Sequence, residues 1–572
     1  MDMYTLLRKW SVIIMAAFML LNCGGGGSAG GNGSGDDTGT TPDENSSINT
    51  HDEFSQVKYR GLTFYHKNMG ASSYTLNQLT DAEFDVLSKS KKLTIANKLL
   101  NTLFYGYPLK ELKKKSAEDG FLGTVRSGLE EESTDKGWLE EHILDDTVFR
   151  QYDSSWYTPQ AIAILTRFYA MKDLDKYFLN NWVAYILTQT IMFSPAYELS
   201  STHTPDVSGI YNRLVTMLEN ESGMRFIAYV HMMSGNNWRR FRSPEDNGRE
   251  MLEIFLLDTN DAHVPIAGRA LKNWKLNTDS DILEVSLNQN TTPLNVLTNF
   301  FGGEAVITGE DFYRELAKSD RFTSGVTHRL VDFFFPEKST EKKEEITNAI
   351  ISSHPETWQD ILLQIIFSEE YLLHNNRGQS AEETFYSLAK KMDYRHRRST
   401  FREFKSRLEE MHQASMKYKL GKLERVPLDS LSFAHYHKYI REEILLDNAR
   451  PEYDDKPDSW GHDGWMPSFI AFDRFDSNSS SDTSSLKTFV DYLFESTIAR
   501  KATDAEHTLF KNHMIELRDG KQLFKDDFNM FVSHDDPEDQ ADRRERNKRN
   551  IAHLVLDYIS RLDAIYRQRE VK

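Results

Sequence analysis

Three observations predict a mainly α fold: helix-start signals recur, apolar residues return at spacings of three and four, and alternating strand-like runs are few. Thr80-Asp81-Ala82-Glu83 and Thr503-Asp504-Ala505-Glu506 each place a hydroxyl at the N-cap and a glutamate three residues on. In that pattern each side chain satisfies a free backbone N–H of the other residue. Trp358, Ile361, Leu362, Ile365 and Ile366 describe one apolar helical stripe. Ile551, Leu554, Val555, Tyr558, Ile559, Leu562, Ile565 and Tyr566 describe another, with Arg561 and Arg567 in the closing turns where cations suit the negative helix end. No repeat at a fixed period interrupts the chain. The expected body is a large multi-helix globular domain over residues 54–572, as one unit or two closely packed halves, behind a flexible tether.

The first element is a targeting segment. Arg8 and Lys9 precede an apolar run from Val12 to Leu21, and Leu20-Leu21-Asn22-Cys23 then gives way to Gly24-Gly25-Gly26-Gly27-Ser28. A membrane-spanning helix needs roughly 20 apolar residues, and this run is much shorter. The pattern fits a bacterial lipoprotein signal peptide over residues 1–22, with Cys23 as the lipidated residue. The competing reading is an ordinary secretory signal with a chance cysteine, but Cys23 is the single cysteine of the chain and stands where lipid attachment requires one. A diacylglycerol thioether plus an N-terminal acyl chain such as palmitate exceeds the two signals that stable anchoring needs. Gly24 stands where Asp would favour inner-membrane retention, so the expected location is extracytoplasmic, on the outer membrane of a diderm bacterium. Residues 23–53 are rich in Gly, Ser, Asp, Thr and Asn, a tether whose r.m.s. span is roughly 30 Å.

With Cys23 lipidated, the folded part holds no thiol, which excludes disulfides, zinc–cysteine sites and cysteine nucleophiles. Acids outnumber bases 87 to 69, a net charge of −18, so nucleic acid is not expected as a partner. The membrane is expected to be met through the lipid alone. Residues 448–485 and 521–545 break the helical texture with Pro, Gly, Ser and charged residues.

Residues 243–274 carry the strongest motif. Ser243 suits an N-cap, Pro244 the first helical position, and Glu245 and Asp246 the positive helix end. Gly248, Met251, Leu252, Phe255 and Leu256 form an apolar face, and Arg249, Glu250 and Glu253 another. Ile266 to Leu271 follows after a short turn, ending in Trp274.

This segment resembles the bacterial domain-of-unknown-function family numbered eighteen hundred, whose members carry E-N-x-x-R-E-L-x-E-L and, after a loop, A-R-x-L-T-G-W. Glu245, Arg249, Glu250 and Glu253 match the first part, and Arg269, Leu271 and Trp274 the second. His328 to Phe334 resembles the family's helix before an S-x-x-F motif, for which Phe367-Ser368-Glu369-Glu370-Tyr371 stands here. Gly461-His462-Asp463-Gly464-Trp465, with Arg474 beyond it, resembles the family's G-W-x-G-G-x-x-W stretch. The resemblance extends over most of residues 60–560. The chain departs from it at Asp246, Lys272-Asn273 and Leu256-Leu257-Asp258, and the family's W-H-N-H-F motif survives only as Trp182-Val183-Ala184-Tyr185-Ile186. The resemblance implies an exported protein, often encoded near sulfatase-like partners, and no particular reaction.

Two sets of residues are candidates for chemistry. Arg249, Glu250, Glu253 and Arg269 could serve acid–base work or bind a charged sugar or phosphate, or could tie two consecutive core helices as an ion-pair network over Trp274. His462 and Asp463 could ligate a metal or form an acid–base pair, or belong to a solvated loop. His435 and His437 lie in a helical context, where their imidazoles point apart. No phosphate loop, H-E-x-x-H or G-x-S-x-G motif occurs, and no cofactor is expected. The expected function is that of a lipid-anchored cell-envelope protein that binds or assembles with an exported partner. The alternative is an extracytoplasmic hydrolase of envelope glycans acting through Glu250 or Glu253. The Trp460–Trp465 loop is expected close to the Arg249–Arg269 helix pair.

Overall fold

The computed structural model describes residues 58–59, 61–64, 74–132, 157–171, 173–192, 206–277, 282–285, 306, 308–391, 398–411, 413, 430–446, 483–516 and 551–571. Cys23, the tether, His462, Asp463, Arg474 and the Trp460–Trp465 loop lie outside them, as do most of the two irregular stretches. The described residues belong to one compact unit, Phe54–Lys572.

The fold is mainly α. Its first half holds α1 (Asp81–Asp85), α2 (Lys89–Thr102), α3 (Leu109–Ala117), α4 (Phe121–Glu130), α5 (Tyr157–Ala170), α6 (Lys176–Thr190), α7 (Asp206–Glu219), α8 (Met224–Met232), α9 (Gly235–Arg240), α10 (Pro244–Leu256) and α11 (Val264–Ala270). The second holds α12 (Gly309–Lys318), α13 (Asp320–Phe334), α14 (Thr340–Ser352), α15 (Trp358–Ile366), α16 (Glu369–Leu372), α17 (Ala381–Lys391), α18 (Arg398–Glu410), α19 (Ser430–Lys438), α20 (Thr483–Ile498), α21 (Asp504–Glu516) and α22 (551–560). A π-helical stretch, Tyr439–Leu446, continues α19. Two small antiparallel hairpins complete the description, β1 (Lys58–Tyr59) with β2 (Leu62–Thr63) and β3 (Trp274–Asn277) with β4 (Ile282–Val285), Trp274 lying opposite Val285.

Local chemistry starts these helices. Thr80 and Glu83 exchange bonds at the head of α1, Glu83 N donating to Thr80 Oγ1 at 3.3 Å and Thr80 N to Glu83 Oε2 at 2.9 Å. Thr503 and Glu506 do the same before α21, at 3.2 and 2.7 Å. Two helices are enclosed on all sides and form the centre: α6 is buried from Tyr177 to Thr190, and α15 along its whole length, polar residues such as Asn181 and Asp360 included. Helices α4, α7, α13 and α15 pack on α6, whose Trp182 donates its indole N–H to the Thr102 carbonyl at 2.9 Å. Trp182 to Ile186 thus lie inside a fully enclosed stretch of α6.

Two expectations need correction. The C-terminal stripe does not run through one helix: α22 ends at Ser560, where Arg561 N and Leu562 N turn to acceptors three residues back, and a 3₁₀ turn over Asp563–Ile565 follows. Trp274 does not close the second helix of its motif. Helix α11 ends at Ala270, and Trp274 opens β3 after a turn in which its N–H bonds the Leu271 carbonyl at 2.8 Å. No helix among the described residues is long and apolar enough to cross a membrane.

Candidate functional site

The α10–α11 pair is built as its sequence dictates. Ser243 Oγ accepts from Asp246 N at 3.2 Å, Pro244 occupies the first turn, and Leu257 closes the helix in a left-handed conformation at φ 52°. The seam between the helices is backbone-close. A Cβ on Gly248 would lie 2.5 Å from the Ala267 Cβ, and one on Gly268 would lie 2.4 Å from the Glu245 Cγ. Such a seam is sealed by the absence of side chains and leaves no space for a substrate.

The candidate charges sit outside it. Arg249 and Arg269 are exposed, and Glu250 and Glu253 are half-buried. These charges are therefore not enclosed in the core, as a network tying two core helices would require: the two arginines reach water, where a charge stays solvated. Beneath α10 the packing is aromatic. Trp274 stacks on Trp238 with ring centroids 5.8 Å apart and meets Tyr313 edge-on at 5.4 Å. Trp238 Nε1 donates to the Tyr313 hydroxyl, and that hydroxyl donates to Asn247 Oδ1 at 2.7 Å, linking the stack to α10.

Sequence reasoning missed the partner of this helix end. On α13, Arg329 donates through Nε to the Ile254 carbonyl at 2.8 Å and through Nη2 to the Glu253 carbonyl at 2.7 Å. Arg321 donates to the Leu256 carbonyl at 3.2 Å. These carbonyls belong to the last turn of α10, which has no acceptor use within the helix and carries its negative pole. Burial lowers the pKa of Arg329, opposed by the carboxylates of Asp332, Glu253 and Glu250. Between the two arginines Gly325 lets α13 touch α10: a Cβ there would stand 2.2 Å from the Phe255 carbonyl oxygen. The four-residue spacing Arg321-Gly325-Arg329 was the available signal.

A second cluster, deeply buried, joins α2, the 371–383 segment and residues 566–571. Arg377 and Glu383, 0% and 1% exposed, form a two-pronged ion pair, with Nη2 to Oε1 at 2.6 Å and Nη1 to Oε2 at 2.9 Å. Burial acts to lower the Arg377 pKa, but Glu383 and Tyr371 outweigh it and hold it raised. Glu383 also accepts from Ser380 N at 2.8 Å while its own N donates to Ser380 Oγ, so the counter-ion is simultaneously half of a capping box for α17. Ser380-Ala381-Glu382-Glu383 was legible as such a box; its buried arginine was not. The Tyr371 hydroxyl receives Arg377 Nε at 3.1 Å and Gln568 Nε2 at 2.9 Å and lies 2.7 Å from Thr102 Oγ1. Lys98 donates to the Asn375 carbonyl at 2.8 Å, and Lys391 lies 3.4 Å from Asn101 Oδ1. Breaking one partner from a buried pair of this kind typically costs about 3–5 kcal/mol. The geometry is that of a clamp between segments far apart in sequence.

The histidine pair falls on α19, as its context predicts. His435 Nδ1 is 3.4 Å from Glu410 Oε2, whereas the His437 ring lies 6.3 Å from that of Tyr566, so the two imidazoles serve different neighbours. Among the described residues no three His, Cys, Asp or Glu side chains converge as a metal site. The chain matches no family model, no curated protein and no solved structure.

Proposed function

We propose that this chain is a lipid-anchored cell-envelope protein, attached through Cys23, that works by binding or assembly with an exported partner, and that it belongs to the uncharacterised family its Glu245–Trp274 segment resembles. The observation that carries binding over glycan hydrolysis is the sealed α10–α11 seam. Glu250 and Glu253 are half-buried on α10, the Gly248–Ala267 contact of that helix leaves no substrate-sized space, and Arg329 grips the backbone of Glu253. A general acid or base must reach the bond it protonates, and these carboxylates border a packed joint. The lipid reading is supported by the placement of the single cysteine after Leu20-Leu21-Asn22 and before a glycine run.

The test uses cells fed an alkyne fatty acid. The wild-type chain should take up label and fractionate with membranes, and Cys23→Ala should do neither; equal labelling or equal fractionation of the two would refute the anchor. Cross-linking in intact cells should then capture the same exported protein with wild type and with E250Q/E253Q. Glycan-cleaving activity in the wild-type protein, lost in E250Q/E253Q, would replace the binding reading with the hydrolase.

A further inference from the structure

A cavity of about 570 Å³ opens where the first turn of α2, the end of α3 and the turn after α20 meet. Its wall carries Lys89, Lys92, Lys113, Arg500 and Lys501 against one carboxylate, Glu495. In a chain of net charge −18, a cleft drawn at random from the surface is expected to be acidic. This one carries five cations to one carboxylate on its wall.

The ion pairs explain how the cations are held without filling the space. Arg500 is gripped by Glu506 at 2.8 Å through both Nη atoms, Lys92 lies 3.6 Å from Asp85, and Lys501 lies 3.9 Å from Asp491. None of those three carboxylates lines the cavity. Glu495 does, and it pairs with Lys113. Lys89 is exposed and makes no ion pair among the described residues. Four of the five cations are thus paired and Lys89 is left over, a net positive charge at a concave surface with low-dielectric walls, which focuses its field on an incoming anion.

Neutral donors add to the charge. Helix α2 has fourteen residues, and the hydroxyl of its N-cap Ser88 accepts the Lys91 N–H at 3.4 Å. The first N–H groups of a helix have no partner inside it and carry its positive pole. Lys89 and Ser90, the first two residues of α2, line the cavity, and Ser116 brings a second hydroxyl from α3. The remaining wall is apolar, with Leu93, Ala117 and Ala499. The space lies in the range of small-molecule pockets, roughly 300–1,000 Å³, and is larger than a bare phosphate needs.

We propose that this cavity binds a small phosphate ester, its dianionic phosphate held by Lys89, Lys501 and the first turn of α2 and its organic body lying against Leu93, Ala117 and Ala499. A dianion uses this surplus of cations better than a carboxylate's single charge. The site goes beyond the anchoring proposal and does not rest on it. A phospholipid headgroup and a soluble phosphate ester share the chemistry.

Isothermal titration calorimetry of the full-length protein in detergent tests it, with inorganic phosphate, glycerol 3-phosphate and dihexanoyl phosphatidic acid as probes and chloride at matched ionic strength as control. Saturable binding at one site per chain is expected, glycerol 3-phosphate binding more tightly than inorganic phosphate. K89E/K501E should weaken it at least tenfold with an unchanged thermal midpoint, and K89Q alone should weaken it less if the double variant is unstable. Tighter binding of dihexanoyl phosphatidic acid supports a headgroup ligand, and weaker binding supports a soluble ester. Heats equal to those of chloride, or wild-type affinity in a folded K89E/K501E, would overturn the site.

Discussion

Lys391, at the end of α17, is 3% exposed, and burial lowers its pKa from 10.5 to about 7. Lys98 is lowered to about 7 as well, by burial and then by the nearby Arg377. The sign of the consequence follows from proton counting. Between pH 7 and 10.5 the unfolded chain holds protons on these two amines that the folded chain has released, so stability rises with pH across that window. Above pH 10 burial opposes the trend, because it keeps Tyr74 and Tyr105 protonated in the fold while the unfolded chain ionises. Denaturation midpoints should therefore climb from pH 7 to pH 9. Lys391→Met retains the volume and removes the amine, so it should raise stability at pH 7 and flatten the climb. Urea titrations at both pH values decide it, and an unchanged slope in the variant would mean that Lys391 does not titrate there.

At the scale of elements, glycines in helices divide by what their missing Cβ would meet. Gly325 lies inside α13, where alanine is intrinsically favoured by about 1 kcal/mol. A Cβ there would stand 2.2 Å from the Phe255 carbonyl oxygen, a backbone atom that cannot swing aside. Gly325→Ala should therefore cost about 1–3 kcal/mol despite its better helix propensity. Gly209 in α7 is the counterpart, since its nearest neighbour would be the Asn236 side chain at an ordinary 3.5 Å. Gly209→Ala should be neutral or stabilising by up to about 1 kcal/mol. Chemical denaturation of both variants reads the contrast, and equal signs would refute this account of the α10–α13 contact. Helix starts such as Thr80 and Thr503 were legible because a cap is a contact over three residues. The arginines of α13 that cap α10 were not, because their acceptors are carbonyls some seventy residues away along the chain.

Across the whole molecule, residues 566–571 act as a strap. Gln379 N donates to the Tyr566 carbonyl at 2.7 Å, Gln568 N to the Arg377 carbonyl at 2.9 Å and Val571 N to the Leu373 carbonyl at 2.8 Å. The Gln568 side chain enters the Tyr371–Arg377 cluster and reaches Thr102 Oγ1 at 3.1 Å. Removing residues 566–572 should leave buried donors and acceptors unpaired and cost at least about 3 kcal/mol. An unchanged urea midpoint in the truncated chain would show that the strap contributes nothing. The sequence stripe Ile551–Tyr566 foretold burial of Ile551, Val555, Ile559, Ile565 and Tyr566. It did not foretell the break at Ser560, which lets the chain leave the helix and lie along residues 371–379.

The amino-acid sequence by itself determined the mainly α class, the capped helix starts and the two apolar stripes, since each depends on residues three or four positions apart. It also supplied the proposed anchor at Cys23. Only the tertiary structure decided which charges are buried. Arg249 and Arg269, chosen from their motif, stay in water, while Arg377 and Glu383 form the enclosed pair. Gln568 meets Thr102 across 466 positions of chain, and lysines near residue 90 share a cavity wall with Arg500 and Lys501. Contacts of that span arise when the whole core closes, and no local periodicity encodes them.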